Sequence, residues 1–136
     1  MRLEITRKSD LAVRALCALR GGGRLKNSEL AVAAVTTQAF MAQVMVLLVR
    51  QGWVSSDPGP TGGYRLAVSL DDLSMLEVIE GIEGPTETGT CVLRGGPCPS
   101  GENCALHDAW LPARDALLQQ LAATTVSLAG CVGSPG

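Results

Sequence analysis

The first third of the chain alternates apolar and polar positions with the period of an α-helix. Apolar residues spaced three and four apart predict a helix over residues 4–20, which three consecutive glycines end. Polar caps predict a second helix over 28–34 and a third over 38–50, the third starting after Thr36 or Thr37 and ending at Gly52. The apolar positions of the first helix are Ile5, Leu11, Ala12, Ala15, Leu16 and Leu19.

Two short β-prone runs follow the third helix. Residues 53–56 and 64–68 flank a loop rich in proline and glycine at 57–63, which favours a hairpin. Three helices and a hairpin predict a winged helix-turn-helix over residues 1–68, with the hairpin as its wing. The predicted fold class is mainly α with a small β-hairpin.

The second half has a different pattern. Residues 69–83 are predicted to hold a connecting helix, from about residue 72 to 82. Residues 84–107 form a predicted loop without periodicity that holds three cysteines. A long helix is predicted over 104–130, followed by a disordered tail over 131–136. Pro112 interrupts this helix, so we expect a kink or a restart near Leu111. The apolar residues of this helix form one stripe, which would be buried against another surface, for example a second copy in a dimer. They are Leu106, Trp110, Ala113, Leu117 and Leu121.

Charge divides the chain in the same way. Residues 1–66 carry nine basic and four acidic side chains (net +5), and residues 67–136 carry two basic and nine acidic side chains (net -7). A positive N-terminal half suits a polyanion such as nucleic acid. With 46% hydrophobic and 18% charged residues the chain can form a core.

The chain shows no secretory signal, so we expect a cytoplasmic protein. Residues 30–49 lack charge over the length of a membrane span, but the polar cluster at 36–38 favours a helix boundary there. The expectation is therefore no membrane association.

Three cysteines and the only histidine lie within 17 residues: Cys91, Cys98, Cys104 and His107. Four such ligands suit an iron-sulfur cluster or a zinc ion. Gaps of six and five residues are wider than the pairs typical of structural zinc sites, so we favour the cluster. Cys17 is interpreted as a small core residue, and Cys131 is given no role.

The order of these parts, with the wing loop ending in Gly62-Gly63-Tyr64 and the sequence Cys104-Ala105-Leu106-His107, resembles bacterial iron-sulfur winged-helix transcription regulators of the IscR/NsrR type. The resemblance covers almost the whole chain. It implies a homodimer joined through the long C-terminal helices, a palindromic double-stranded DNA operator, and a cluster whose loss or modification changes DNA affinity.

The fourth cluster ligand differs between two branches of this family. The sequence Cys104-x2-His107 matches the IscR-like branch, which implies a [2Fe-2S] cluster held by three cysteines and the histidine. The NsrR-like branch, which responds to nitric oxide, implies a [4Fe-4S] cluster with an aspartate from the partner subunit, and Asp10 falls at that place. We favour His107, since imidazole is the better-attested cluster ligand, and keep Asp10 as the alternative.

The third helix is unusually apolar for one that enters a major groove, so an operator recognised largely by shape, weak binding or a second partner are alternatives. Gln38 and Gln43 are the candidates for reading bases. The full set of predicted DNA-binding residues is Arg2, Arg7, Lys8, Thr36, Thr37, Gln38, Gln43, Arg50, Tyr64 and Arg65.

These features favour a transcriptional regulator that senses an iron-sulfur cluster, and we expect it to act as a repressor. The alternative is an interaction module in which zinc merely staples the cysteine loop. An enzyme using the thiols for redox transfer is not expected, because the chain lacks a Cys-x-x-Cys pair.

Overall fold

A computed structural model describes residues 4–86 and 106–131. Within these ranges the chain forms six α-helices and one two-stranded antiparallel sheet, so the predicted winged-helix fold class is confirmed. In chain order the elements are α1 Arg7–Ala18, a 3-10 turn Leu19–Gly21, α2 Asn27–Ala34, α3 Gln38–Arg50, β1 Val54–Asp57, β2 Gly63–Leu66, α4 Met75–Glu83, α5 His107–Ala123 and α6 Val126–Gly130.

Side-chain caps set where several helices begin. Thr6 accepts a hydrogen bond from the Ser9 backbone N–H, so α1 begins at Arg7 rather than residue 4. Ser74 and Glu77 form a reciprocal capping box, which starts α4 at Met75 rather than at residue 72. Thr37 accepts from the Phe40 N–H and starts α3 where the sequence predicted.

The core lies between α1, α2, α3 and α4, and α6 completes it. Each helix contributes its apolar face, as the sequence period requires. Leu11, Leu16, Leu30, Met41, Val44, Met45, Leu48, Val78 and Val126 are fully buried. The apolar character of α3 is thereby explained, since four of its side chains belong to the core.

The wing is a hairpin in which Val54 pairs with Leu66 and Asp57 with Gly63. Its second strand also meets the segment before α2: Leu25 and Tyr64 exchange backbone hydrogen bonds of 3.0 and 2.8 Å. A Cβ on Gly63 would lie 2.8 Å from the Leu25 carbonyl oxygen, so this approach requires glycine.

The predicted C-terminal helix is divided, at a different place from the expected one. Helix α5 continues through Pro112, which removes a single backbone hydrogen bond in its second turn. The chain is instead extended at Thr124, whose carbonyl accepts from the Met75 N–H at 2.8 Å, and Thr125 then caps α6. These tertiary bonds to the start of α4 end α5.

A disulfide joins Cys17 on α1 to Cys131, which directly follows α6. Their Cα atoms are 5.3 Å apart. Cys17 packs against the core, as interpreted from the sequence, but it is half-buried and disulfide-bonded. Its partner Cys131 had been given no role and placed at the start of a disordered tail. The rest of that tail, 132–136, lies outside the described residues.

No single helix in the described ranges has the length and apolarity to cross a membrane. Helices α2 and α3 reach the required hydrophobicity only as a pair, and their axes are bent by 105°.

Candidate nucleic-acid interface and cysteine segment

Helix α3 presents one solvent-exposed face opposite its buried one. Gln38, Ala39, Gln43, Val46 and Arg50 lie on this exposed face, with Val46 51% exposed. All three side chains of α3 that the sequence predicted to contact DNA are therefore on the surface. This face can offer two amides and one guanidinium to a ligand.

The turn between α2 and α3 is held by contacts from both sides. Asn27 Nδ2 donates to the Gln38 carbonyl at 2.8 Å, which joins the N-termini of the two helices. Val35 ends α2 in the left-handed region (φ 56°, ψ 59°), and Arg7 Nη2 donates to its carbonyl at 3.3 Å. Thr36 is half-buried and Thr37 is used as the α3 cap.

The wing carries a small charge cluster centred on Asp57. Its carboxylate lies 3.0 Å from Arg24 Nε and 3.8 Å from Arg65 Nη2. Arg24 Nη1 also lies 3.5 Å from the Thr61 carbonyl. Sequence reasoning missed Arg24, because only the Leu25–Tyr64 pairing brings it beside the wing. Tyr64 itself is half-buried in this pairing.

The beginning of α1 adds a second cationic region. Arg7 and Lys8 are exposed at its first two positions. Asp10 lies one turn further on, with Arg14 Nε 3.1 and 3.2 Å from its two carboxylate oxygens and Arg7 Nη1 at 3.7 Å. Arg2 lies outside the described residues.

The predicted metal ligands are only partly described. Cys91, Cys98 and Cys104 lie outside the described residues, and His107 is the half-buried first residue of α5. Among residues 4–86 and 106–131 no group of three histidine, cysteine or acidic side chains could hold a metal ion. Three thiols and one imidazole are nevertheless a donor set that suits an iron-sulfur cluster.

The last turn of α4 contacts two other parts of the fold just before this cysteine segment begins. Glu83 accepts hydrogen bonds from the Thr6 N–H, the Thr6 hydroxyl and the Ser9 hydroxyl at the start of α1. At Gly81, a Cβ would lie 2.6 Å from Trp53 Cη2, and the Gly81 carbonyl accepts from Gln51 Nε2 at 3.2 Å. The turn thus touches both the start of α1 and the segment that follows α3.

A helix-turn-helix with an exposed polar face on its third helix, followed by a hairpin wing, defines a winged-helix DNA-binding protein. The family model described as "Rrf2: Iron-dependent Transcriptional regulator" matches residues 5–128. The chain belongs to the Rrf2 family. Its relatives are transcriptional regulators and not enzymes, in agreement with the sequence prediction.

Sequence and structure comparisons identify individual relatives. The chain is 32% identical over 79 residues to the HTH-type transcriptional regulator IscR of Escherichia coli, a match that covers 58% of this chain and 48% of that protein. The chain thus spans about half the length of this curated relative.

Among solved structures, CymR, "the Global Cysteine Regulator of B. subtilis", superposes with a TM-score of 0.77 at 23% identity, covering 98% of this chain and all of that one. IscR of T. potens gives 0.71 at 20% identity, covering 92% and 84%. At these identities both structures show a common fold.

Proposed function

We propose that this chain is a cytoplasmic DNA-binding repressor whose operator affinity depends on the state of an iron-sulfur cluster. The observation that carries the proposal is the position of α4. Its last turn contacts the start of α1 and the segment after α3, and three cysteines follow it in the sequence.

In the proposed complex α3 enters the major groove. Gln38 and Gln43, near its N-terminus, read base edges, and a glutamine amide can bond an adenine in a bidentate manner. Arg50 lies twelve residues beyond Gln38, about 18 Å along the helix axis, and contacts phosphates instead. Further phosphate contacts come from Arg2, Arg7, Lys8, Thr36, Thr37, Tyr64 and Arg65, to which the geometry adds Arg24.

The proposed regulator is a homodimer that reads a palindromic operator. Helix α5 has no fully buried residue, and one of its faces is apolar and exposed. Leu106 and Leu117 are 44% and 48% exposed, with Ala109 and Ala113 between them. The equivalent face of a second copy would cover this surface, and the two winged domains would then be related by a two-fold axis.

Cys91, Cys98, Cys104 and His107 would hold the cluster, which supplies a metal centre that can be lost or chemically modified. The alternative ligand Asp10 already binds Arg14 and Arg7. This supports His107 and a [2Fe-2S] cluster over a [4Fe-4S] cluster.

The residues of this chain connect that centre to DNA through α4. Cluster binding by the cysteines that follow Gly84 in the sequence would fix the last turn of α4. Glu83 and Gly81 would then transmit its position to α1 and to the end of α3. The protein would then bind the operator with a different affinity in each cluster state. The difference between the two binding free energies is the coupling free energy between cluster and DNA.

Anaerobic purification with visible absorption and iron, sulfide and zinc analysis tests the cofactor. We expect a coloured protein with equal iron and sulfide, and a Cys98→Ala variant without either. A colourless protein with one zinc would leave the DNA-binding fold and remove cluster sensing.

DNA reading is tested separately with operators selected from a random-sequence pool. Gln43→Ala should weaken binding by about 1–3 kcal/mol and relax preference at one base pair. Lys8→Ala is the matched phosphate-contact variant. It should weaken binding to all sequences equally and reduce the slope of log binding constant against log salt concentration by about one unit. No selected sequence, or equal effects of both variants, would contradict base reading by α3.

A further inference from the structure

The Cys17–Cys131 disulfide closes the chain over 114 residues and joins the winged-helix domain to the end of the C-terminal helices. Cys17 lies on α1, which contributes to the core beneath α2 and α3. Cys131 directly follows α6, and α6 follows α5 after two residues. The bond therefore connects the DNA-binding unit covalently to the helices that carry the exposed apolar face of α5.

Noncovalent contacts also hold α6 in place beside this bond. Val126 is fully buried, and its N–H donates to the Leu73 carbonyl at 2.9 Å. Gly130 is pressed against α1: a Cβ there would lie 2.2 Å from Val13 Cγ1 and 3.3 Å from Cys17 Sγ. Since these contacts need no disulfide, the two thiols of the reduced protein stay close enough to reoxidise.

Both cysteines are half-buried, so a small reagent can reach them. In the compartment where a transcriptional regulator meets DNA, thiols are kept reduced, and disulfides there are usually transient or redox-sensing. A permanent structural disulfide between these two cysteines is therefore not expected in that compartment.

We propose that Cys17 and Cys131 are a reversible thiol–disulfide switch that fastens α6 to α1, and that the oxidant is a low-molecular-weight disulfide. One cysteine thiolate attacks the oxidant, forms a mixed disulfide and releases the first small thiol. The second cysteine attacks the protein sulfur of that mixed disulfide and releases the second small thiol. The two cysteines lose two electrons and two protons, which the two small thiols carry away.

This switch is independent of the proposed cluster, because neither sulfur belongs to the Cys91–His107 segment. In the disulfide state α6 is fixed on α1, and with it the orientation of α5 relative to the wing and α3. In the dithiol state only the noncovalent contacts of Val126 and Gly130 remain. We expect the end of α6 to open more often in that state.

Peptide mapping tests the switch directly. The whole chain is equilibrated anaerobically in glutathione buffers of graded ratio, quenched in acid, alkylated and digested with trypsin. Cleavage after Arg14, Arg20 and Arg114 places Cys17 in peptide 15–20 and Cys131 in peptide 115–136, apart from the other three cysteines. The fraction of protein that carries the Cys17–Cys131 link should rise from a tenth to nine-tenths as [GSH]²/[GSSG] falls by about 80-fold.

Two outcomes of the mapping would overturn the proposal. One is a link that persists in the most reducing buffer, which would make the bond purely structural. The other is a link that never forms, or forms to Cys91, Cys98 or Cys104 instead. Either result leaves the proposed cluster function untouched, since iron and sulfide are measured separately.

Hydrogen exchange supplies a second readout. Amides of 127–131 should exchange at least about tenfold faster in the reduced protein than in the oxidised protein. The matched variant Cys17→Ser should exchange at the faster rate in both buffers. Equal rates in reduced and oxidised wild-type protein would show that the bond does not fasten α6 and would overturn the switch.

Discussion

Glu83 and Thr6 are joined by two hydrogen bonds although 77 residues separate them in the sequence. The Glu83 carboxylate accepts from the Thr6 N–H at 3.2 Å and from the Thr6 hydroxyl at 3.1 Å, and it also accepts from the Ser9 hydroxyl. A carboxylate at a helix N-terminus also interacts favourably with the helix dipole. One residue therefore connects the end of α4 to the start of α1.

Replacing Glu83 with Gln should lower the free energy of unfolding by about 1 kcal/mol, because the side chain keeps its size but loses the negative charge at α1. The urea midpoint measures this change. Asp72→Asn removes the same charge from an exposed loop position before α4 and should have little effect. Equal shifts in both variants would indicate a general charge effect in place of a specific contact.

The fourth ligand of the proposed cluster can be identified by two substitutions. We expect His107→Ala to change or abolish the visible spectrum of anaerobically purified protein. Asp10→Ala should leave it unchanged, since the Asp10 carboxylate lies 3.1 Å from Arg14 Nε. Loss of colour in the Asp10 variant alone would favour the [4Fe-4S] alternative.

Val35 should be a site of stored strain. It is a β-branched residue in the left-handed region, where an L-residue loses about 1–2 kcal/mol, and its side chain is 72% exposed. Val35→Gly should therefore raise the free energy of unfolding by about 1 kcal/mol.

Val32 is the matched control for this substitution. It is equally apolar and 79% exposed, but it lies within α2. Val32→Gly should lower stability by roughly 0.5 kcal/mol, because glycine is the poorer helix former. Chemical denaturation of the two variants should give changes of opposite sign, and changes of the same sign would contradict the strain at Val35.

The exposed face of α5 should be the dimer interface. Leu117→Glu places a charge on this face and should give a monomer at micromolar concentration in sedimentation experiments, since an unpaired buried charge is costly. Gln119→Glu adds the same charge at an exposed position outside the apolar stripe and should leave the dimer intact. A dimer that survives Leu117→Glu would place the interface elsewhere.

The helices and the wing could be predicted from the sequence because their signals are local. Apolar spacing and the threonine cap identified α3 within a residue, and the glycines of the wing marked the hairpin. The predicted start of α4 is too early, because the capping box that begins the helix is at Ser74.

Contacts between distant residues could not be found in this way. No local pattern pairs Cys17 with Cys131, or places Arg24 beside Asp57. The sequence predicts an interruption of the C-terminal helix near Pro112, the local helix breaker. In the structure the helix ends at Thr124, whose carbonyl accepts a hydrogen bond from the start of α4. Such features depend on the packed fold and not on the neighbouring residues.

The charge cluster of the wing affects how DNA binding would respond to salt. Asp57 already shares its carboxylate between Arg24 and Arg65, at 3.0 and 3.8 Å. A phosphate that approaches these arginines must compete with the Asp57 carboxylate, which already neutralises part of their charge. Binding at the wing therefore releases fewer condensed cations from the DNA than two unpaired arginines would release. The slope of log binding constant against log salt concentration should therefore be smaller by about one unit than a count of the wing arginines implies.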